Sequence, residues 1–345
     1  MDALRRERRG GTATVGVSAG TSAASICVAV CTHARTATLA RALDSLLAQR
    51  PLAPDILVVD NAPPDDATRV LVAQRYPTIR YVREPVQGLD FARNRALATA
   101  DADVVAFLDD DAVAEPGWAA ALAAVFTQDP AVAVCTGRVD ALCADTEGER
   151  LFEANGGFAR GLGRIRLPDD AAQPLHGRPA PLIAWAVSVG SGCSYAVRRS
   201  TALALGGFDE ALDLGQALPG GGDHDLLWRA LRAGHSVVYE PSALARHEHR
   251  PRAAGVHAQI IGHQRALLAF LSKHLIASPG GRGPLAGYLA WRLVKPGVRL
   301  VRRAAGRDPL PAGVLARMWW NCWAGLVAYP GARRLAQSRR EERAC

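Results

Sequence analysis

Between residues 26 and 139, short apolar runs alternate with segments whose apolar residues recur at helical spacing. The predicted strands are residues 26–30, 55–60, 78–84, 103–109 and 131–139, and the predicted helices are residues 38–49, 66–76, 89–100 and 115–128. These strands are apolar almost throughout, as in a sheet that is covered on both faces. Such alternation predicts an α/β fold with a mainly parallel, Rossmann-like sheet flanked by helices.

Polar side chains follow three of the predicted strands: Thr32 and His33 the first, Asp60 and Asn61 the second, and Asp109, Asp110 and Asp111 the fourth. In parallel sheets, ligands gather at the carboxyl ends of the strands. Three adjacent carboxylates repel one another, so they either form a solvated turn that caps the next helix or surround a positive charge. The convergence of three polar strand ends favours the second interpretation.

Beyond residue 140 the periodic pattern becomes weaker. A long surface loop is predicted over residues 141–181, and residues 182–200 read as a strand, a glycine break and a second strand. A helix is predicted after the glycines at 220–222 and ends at Gly234, followed by a strand at 236–241 and an amphipathic helix at 255–275. Long loops of this kind are often functional in compact domains.

The charge of +8 lies at the two ends of the chain. From Arg282 onward there are thirteen Arg or Lys residues against three acids, the first ten residues add +2, and residues 11–281 carry about −4. This distribution argues against nucleic-acid binding by the main domain and predicts contact of the C-terminal region with an anionic membrane surface. The alternative is a basic helical pair packed on the catalytic domain, with a core formed by Trp291, Trp319, Trp320 and Trp323.

Small, polar and basic residues fill positions 1–24, which are predicted to be a disordered leader. Residues 313–329 are apolar but are interrupted by Arg317 and Asn321, so we expect them to lie in a membrane interface rather than to span it. The seven cysteines are scattered without a CxxC pair. We therefore expect a cytoplasmic protein, peripherally attached to the inner face of the cell membrane.

Six motifs, taken in order, resemble the family 2 inverting glycosyltransferases, which use nucleotide sugars and have the GT-A fold. They are VAVCTHAR (28–35), ILVVDNAP (56–63), VQGLDFARNRAL (86–97), VVAFLDDDAVAEPGW (104–118), GGFDEAL (206–212) and GGGDHDLLWRALRAG (220–234). The resemblance covers residues 26–250. It implies a catalytic domain over residues 25–250, with a nucleotide-binding half at 25–140 and an acceptor half at 141–250, followed by a helical, basic extension at 251–345.

The resemblance also implies a donor site with a divalent cation, Mg²⁺ or Mn²⁺. Asp109 and Asp111 match the DxD pair, Asp111 being the favoured direct metal ligand, and Asp109 or Asp110 contacts the ribose or the sugar. His247 matches a further metal ligand, and His249 is the alternative to it. The other implied donor contacts are Thr32, His33, Arg35, Asp60, Asn61 and Arg93, with Asp60 reading the edge of uracil or thymine. From the residues alone, Asp60 also fits a turn and Arg93 a solvated helix cation.

Asp223 matches the general base of the family, and Asp225 would bond backbone amides at the start of a helix. The chain departs from the family pattern at Gly222, where a glutamate is common. The competing interpretation makes Asp223 only a helix cap. The implied reaction is the transfer of one sugar from a UDP- or dTDP-sugar to a hydroxyl of a glycan, a lipid-linked glycan or a small molecule such as a secondary metabolite. The QxxRW element of processive synthases is absent from the sequence, which favours a non-processive enzyme.

Three rival functions are weighed against this one. A nucleotidyltransferase would need a glycine-rich basic loop after the first strand, which VCTHARTATL does not offer. A receiver domain would need a lysine late in the sheet, whereas Lys273 and Lys295 lie beyond it. A protein that binds nucleotide sugars without turnover stays open.

Overall fold

A computed structural model describes residues 23–158, 160–277 and 282–344. The leader predicted at residues 1–24 therefore lies almost wholly outside the described residues. The described strands are β1 (Ile26–Thr32), β2 (Asp55–Asn61), β3 (Arg80–Glu84), β4 (Val104–Leu108), β5 (Ala112–Ala114), β6 (Val132–Ala141), β7 (Ile165–Leu167), β8 (Ser194–Arg198) and β9 (Ser236–His247).

Helices cover both faces of this sheet and make up most of the C-terminal part. They are α1 (Thr36–Leu47), α2 (Ala67–Arg75), α3 (Leu89–Thr99), α4 (Trp118–Gln128), α5 (Glu147–Ala154), α6 (Leu182–Val189), α7 (Arg199–Ala204), α8 (Gly222–Arg232), α9 (Ala253–Ala277), α10 (Arg282–Ala304), α11 (Ala312–Leu326) and α12 (Ala328–Ala344). The predicted α/β fold is confirmed.

The strands form one sheet in the order β3-β2-β1-β4-β8-β6-β9-β5, with β7 paired to β9. β3, β2, β1 and β4 are parallel, as the alternating pattern predicts. Beyond β4 the pairing is mixed, because β8 runs antiparallel to both β4 and β6, whereas β9 is parallel to β6 and antiparallel to β5 and β7. The sequence pattern did not predict these antiparallel pairs, which join strands that lie far apart along the chain.

This topology brings the polar strand ends together. Thr32 pairs with Asp60 across β1 and β2, and Asp109 follows β4, which is the other neighbour of β1. β9 is longer than the predicted 236–241. Its last residue, His247, pairs with Ala112, which directly follows the acidic triplet formed by residues 109–111. The sheet therefore carries His247 to the same edge as the aspartates.

Two predictions for residues 141–200 are wrong. The predicted loop contains α5, whose start has a capping box formed by Thr146 and Glu149, and it also contains β7 and a short 3₁₀ helix (Asp169–Ala172). The run LIAWAVSV, predicted as a strand, is α6. Seven of its eight residues are apolar, and in such a run the period cannot distinguish a buried helix from a buried strand.

The four C-terminal helices differ in how they pack. α9 and α11 contribute buried side chains such as Phe270 and Cys322 to the main core. The tryptophans of α10 and α11 are not core residues, because Trp291, Trp319, Trp320 and Trp323 are 48%, 40%, 73% and 52% exposed. The alternative in which these four rings form a core is therefore wrong. Among the described residues, no helix is both long and apolar enough to cross a membrane.

Candidate active site

Two cavities meet at the carboxyl ends of β1, β2 and β4. The sheet-end cavity, of about 780 Å³, is lined by Thr32, His33, Arg35, Asn61, Asp109, Asp110 and Asp111 among others. The helix-side cavity, of about 490 Å³, is lined by Arg93, Asp223, His224 and side chains of α9 and α10. Asp109 and His247 line both cavities. Most of the site residues predicted from the sequence are thus brought to one pair of connected cavities.

Asp110, the middle residue of the triplet, points into the protein. Its carboxylate accepts a hydrogen bond of 2.7 Å from the Thr32 hydroxyl and one of 3.1 Å from Arg35. Burial raises its pKa, although the contacts with Thr32 and Arg35 act in the opposite direction. Arg35 also bonds Asp111 at 2.9 Å. Arg35 therefore balances part of the charge of the triplet and links Asp110 to Asp111.

His247 balances the other side of the triplet. Its Nε2 atom lies 3.1 Å from Oδ1 of Asp111 and 4.0 Å from Oδ2 of Asp109. Burial alone would lower the pKa of His247, but the hydrogen bond and charge of Asp111 raise it. Burial, followed by the neighbouring charge of Asp111, raises the pKa of Asp109 to about 6. Asp109 is thus the least compensated carboxylate, and it faces both cavities.

A cation fits the donor atoms at this junction. Single ligand atoms of Asp109, Cys193 and His247 all lie within 4.8 Å of one another. Carboxylate oxygens suit Mg²⁺ and Mn²⁺, and imidazole is a common ligand of transition metals. Cys193 was not predicted, and burial raises the pKa of its thiol well above the usual value. Mg²⁺ and Mn²⁺ prefer oxygen ligands to sulfur, so Asp109 and His247 carry the fit.

His249 stands behind His247 rather than beside the aspartates. Its Nε2 atom lies 2.8 Å from Oε1 of Glu153, and its Nδ1 atom lies 3.3 Å from Nδ1 of His247. The His249 ring also packs against Phe152, with ring centroids 4.4 Å apart. Of the two histidines considered from the sequence, the structure places His247 next to the acidic triplet, with His249 supporting its orientation.

Three residues predicted to contact the nucleotide occupy different positions. Nδ1 of His33 lies 2.7 Å from the carbonyl oxygen of Asn61, and both residues line the sheet-end cavity. The Asn61 side chain donates to the Val86 carbonyl at 2.7 Å and accepts from the Gly88 amide at 2.9 Å, which fixes the turn before α3. Asp60 is fully buried, accepts a hydrogen bond from Tyr81 at 2.7 Å and does not line the cavity.

Asp223 lines the helix-side cavity at the start of α8. Its Oδ1 atom lies 2.8 Å from Nδ1 of His224 and accepts a 2.8 Å hydrogen bond from the His224 amide. Burial alone would raise the pKa of Asp223, but His224 and Arg93 lower it below its usual range. The lowered pKa favours the ionised carboxylate, which is the form that a general base needs, but also makes it a weaker proton acceptor. The residue before α8 is Gly221, so Asp223 is not the helix cap.

Arg93 is buried among acids. It donates to Asp90 at 2.9 Å and lies 3.5 Å from Asp213, with 5% of its surface exposed. The interpretation of Arg93 as a solvated helix cation is therefore wrong. Asp90 and Asp213 were missed, although the spacing of Asp90 and Arg93, three residues apart on a helix, is the one that favours an ion pair.

Close packing against Asp90 explains why position 222 is a glycine. A Cβ atom added to Gly222 would lie 1.8 Å from Oδ2 of Asp90. The Asp90 carboxylate thus occupies the space that a side chain at position 222 would need. This contact accounts for the departure from the family pattern, because a glutamate cannot enter here while Asp90 holds this position.

Asp225 does not act as predicted. It is fully buried and binds side chains rather than backbone amides, since it accepts hydrogen bonds from Arg229 at 2.7 Å and from Lys273, and lies 2.8 Å from Nε2 of His274. Two of these partners belong to α9. Asp225 therefore ties α8 to α9, and its effect on Asp223 is to hold the start of α8 in place.

Comparison with solved structures identifies the fold. A mannosyltransferase, PcManGT from Pyrobaculum calidifontis in complex with GDP-Man and Mn²⁺, aligns with a TM-score of 0.55 at 19% identity, covering 91% of this chain and 88% of its own. GalNAc-T7 with UDP, GalNAc and Mn²⁺ aligns with a TM-score of 0.50 at 15% identity, covering 84% of this chain and 58% of its own. The fold is that of the GT-A glycosyltransferases.

Sequence comparison then identifies the family. The profile of glycosyl transferase family 2 matches residues 27–199, half of the chain, and the chain belongs to this family. The pre-mycofactocin glycosyltransferase of Mycobacterium tuberculosis, in strains CDC 1551 / Oshkosh and H37Rv, is 34% identical over 160 residues. This alignment covers 46% of this chain but only 30% of the relative. The predicted glycosyltransferase class is confirmed.

Proposed function

We propose that the protein transfers one sugar from a nucleotide diphosphate sugar to an acceptor hydroxyl. The observation that carries this proposal is the pair of cavities that meet at Asp109 and His247, with the acidic triplet on one side and Asp223 on the other. The sheet-end cavity binds the donor and the helix-side cavity binds the acceptor. The anomeric carbon then lies at the junction, between the leaving group and the base.

The donor is a UDP- or dTDP-sugar in this proposal. His33, Asn61 and Arg35 line the sheet-end cavity, and the hydroxyl of Thr32 fixes Asp110 at its floor. Asp60 lies behind the lining of the sheet-end cavity, so it supports the end of β2 and does not contact the nucleotide base directly. The two structural neighbours support a nucleotide donor, since one is bound to GDP-Man and the other to UDP.

Asp109, Asp111 and His247 would hold a divalent cation, Mg²⁺ or Mn²⁺. When bound, such an ion supplies positive charge next to the departing diphosphate. Both structural neighbours contain Mn²⁺. The geometry that supports this assignment is the convergence of the Asp109 and His247 ligand atoms at the junction, with Asp111 in contact with His247.

Asp223 acts as the general base. The acceptor oxygen forms a bond to the anomeric carbon while the bond from this carbon to the diphosphate oxygen breaks. The hydroxyl proton passes to the Asp223 carboxylate, and the bonding electron pair leaves with the nucleoside diphosphate. With the base in the helix-side cavity and the donor in the sheet-end cavity, attack opposite the leaving group would invert the anomeric configuration.

The C-terminal helices would meet an anionic membrane surface on the cytoplasmic side. Trp320 and Trp323 of α11 and Trp291 of α10 are between 48% and 73% exposed. The chain from Arg282 onward has thirteen Arg or Lys residues against three acids. Exposed indole rings together with arginines are typical of surfaces that lie in a membrane interface.

The acceptor is a glycan, a lipid-linked glycan or a small molecule.

A titration of donor binding tests the donor half of the proposal. UDP-, dTDP- and GDP-sugars are titrated with and without Mn²⁺ into wild type, Asp111→Asn and Asp101→Asn, the last being an exposed acid outside the site. We expect wild type and Asp101→Asn to bind at least one donor, and this binding to require Mn²⁺. Asp111→Asn should not bind that donor. Donor binding that persists unchanged in EDTA would contradict the assignment of the triplet.

A further inference from the structure

Three cations of α10 lie on one face of the helix and line the helix-side cavity. They are Arg292, Lys295 and Arg299, at spacings of three and four residues, which place side chains on the same side of a helix. The cavity also contains Asp223. The α10 cations and the proposed base therefore share one cavity, although they come from different elements.

These cations are not equally compensated. Arg299 is fully engaged, with two hydrogen bonds to Asp308 at 2.7 and 3.0 Å and one to Asn155 at 3.0 Å. Arg292 donates a single hydrogen bond of 3.2 Å to Gln264, and its Nε atom is buried without a partner. Among the described residues, no carboxylate lies within ion-pair distance of the Lys295 ammonium. The cavity wall thus has positive charge in excess.

The pKa of Lys295 agrees with an excess of positive charge at this wall of the cavity. The Lys295 side chain is exposed at the cavity wall, and the protein around its ammonium, followed by the charges of Arg292 and Arg299, lowers its pKa to about 8. A cationic group shifted in this direction lacks a nearby anion. An anionic ligand beside Lys295 would supply the missing charge and raise the pKa again.

Polar side chains of two groups line the cavity. Arg93 and the acids Asp213 and Asp223, whose charges act on it, form one group, whereas Arg292 and Lys295 belong to α10. Apolar side chains also line the cavity, including Phe152, Phe158, Ile260 and Met318. This arrangement suits a ligand with a hydroxyl at one end, a charged group at the other and an apolar part in contact with the wall.

We propose that the helix-side cavity takes an acceptor that carries an oxyanion, a phosphate or a carboxylate, paired with Lys295 and Arg292. The acceptor hydroxyl then lies at Asp223. This inference rests on the proposed function and adds the chemical class of the acceptor. The anion belongs either to a lipid headgroup or to a water-soluble molecule. The exposed Trp291 lies four residues before Lys295 and therefore beside it on α10, so a lipid-borne anion would reach the cavity from the proposed membrane surface.

Calorimetric titration with matched probes tests the inference. The probes are citronellyl phosphate with citronellol and phenyl phosphate with phenol, titrated at neutral pH while Mn²⁺ and a saturating nucleoside diphosphate fill the sheet-end cavity. The variants are Lys295→Gln, Arg292→Gln and the conservative Lys295→Arg. Arg302→Gln is the control, because Arg302 lies on the same helix but is exposed and does not line the cavity.

We expect each phosphate to bind more tightly than its neutral partner. Lys295→Gln should weaken phosphate binding about tenfold, as the loss of a charged hydrogen bond does, while Lys295→Arg and Arg302→Gln stay close to wild type. Tighter binding of citronellyl phosphate than of phenyl phosphate would identify a lipid source, and equal binding a soluble one. Equal affinity for the phosphates and their neutral partners, or no effect of Lys295→Gln, would overturn the inference.

Failure of this inference and failure of the proposed function can be told apart in the same samples. Binding of nucleoside diphosphate with Mn²⁺ reports on the sheet-end cavity, and donor cleavage reports on turnover. If both are intact but the preference for phosphate is absent, only the acceptor class is wrong. If neither is detected, the proposed function itself fails.

Discussion

Nε2 of His247 lies 3.1 Å from Oδ1 of Asp111, and the pairing of two strands creates this contact. Asp111 immediately precedes β5, His247 is the last residue of β9, and the two strands run antiparallel. The contact between His247 and Asp111 in the proposed metal site therefore depends on the pairing of two strands that are far apart in the sequence. Substitutions at His247 test whether this contact serves donor binding.

Replacing His247 by Gln should weaken Mn²⁺-dependent nucleotide binding by at least about tenfold, because one ligand is lost and Asp111 loses its partner. Isothermal titration with UDP and Mn²⁺ measures the effect. His235→Gln, at the other end of β9, is the matched control. Equal affinities of the His247 variant and wild type would show that this histidine does not contribute to the metal site.

Asp225→Asn should destabilise the protein by about 3–5 kcal/mol. The substitution keeps the shape but removes the buried counter-charge that the partly buried Arg229 and Lys273 share, while Lys273 keeps its second partner, Asp209. Urea unfolding at neutral pH measures the loss, with Asp101→Asn as the control. A change below about 1 kcal/mol would show that the network does not connect α8 to α9 energetically.

The same residue predicts a dependence on pH. Burial alone would raise the pKa of Asp225, but His274, Lys273 and Arg229 lower it below the usual value of 3.8. The stabilisation from a lowered carboxylate pKa is complete above about pH 4 and is lost as the pH falls through the folded-state pKa. Wild type should therefore lose stability below pH 4 more steeply than Asp225→Asn. Parallel curves for the two proteins would contradict this prediction.

Gly222→Ala should destabilise the protein by about 1–3 kcal/mol, because its Cβ atom would overlap the carboxylate of Asp90. In Asp90→Ala the overlap is absent, so the double variant should be more stable than the sum of the two single changes predicts. Gly283→Ala is the control, since no heavy atom lies within 4 Å of its added Cβ. Strict additivity of the two substitutions would exclude the steric account.

Replacing Trp320 and Trp323 by Ala should weaken binding to anionic phosphatidylglycerol vesicles by about tenfold or more, because each exposed ring would bury apolar area in the interface. Added salt should also weaken wild-type binding, since arginines contribute. Vesicle sedimentation measures both effects. Leu162→Ala removes an equally exposed apolar side chain elsewhere, so a similar loss in that variant would refute a specific face on α11.

The sequence allowed prediction of the parts that depend on local pattern. Buried parallel strands read as apolar runs, so the ends of β1, β2 and β4 and their polar residues could be placed together. The antiparallel partners β8 and β9 could not, because strand pairing at long separation leaves no periodic signal. The partners of Asp225, the position of Asp90 beside Gly222 and the α10 wall of the helix-side cavity depend on such tertiary packing. Asp60 was predicted to contact the nucleotide base, whereas the side chain lies buried behind the cavity.

Release of nucleoside diphosphate by wild type and Asp223→Asn separates a transferase from a protein that only binds its donor. Both proteins are incubated with Mn²⁺, the donor that binds wild type and a panel of hydroxyl acceptors that includes glycans, lipid-linked glycans and small phosphorylated alcohols with a free hydroxyl, and donor affinity is measured in parallel. We predict unchanged donor affinity and a fall in release of at least about 100-fold in Asp223→Asn, since a positioned general base contributes 10²–10⁴-fold. Equal release by the two proteins would contradict the assignment of Asp223 as the base and, if negligible in both, the transferase activity itself.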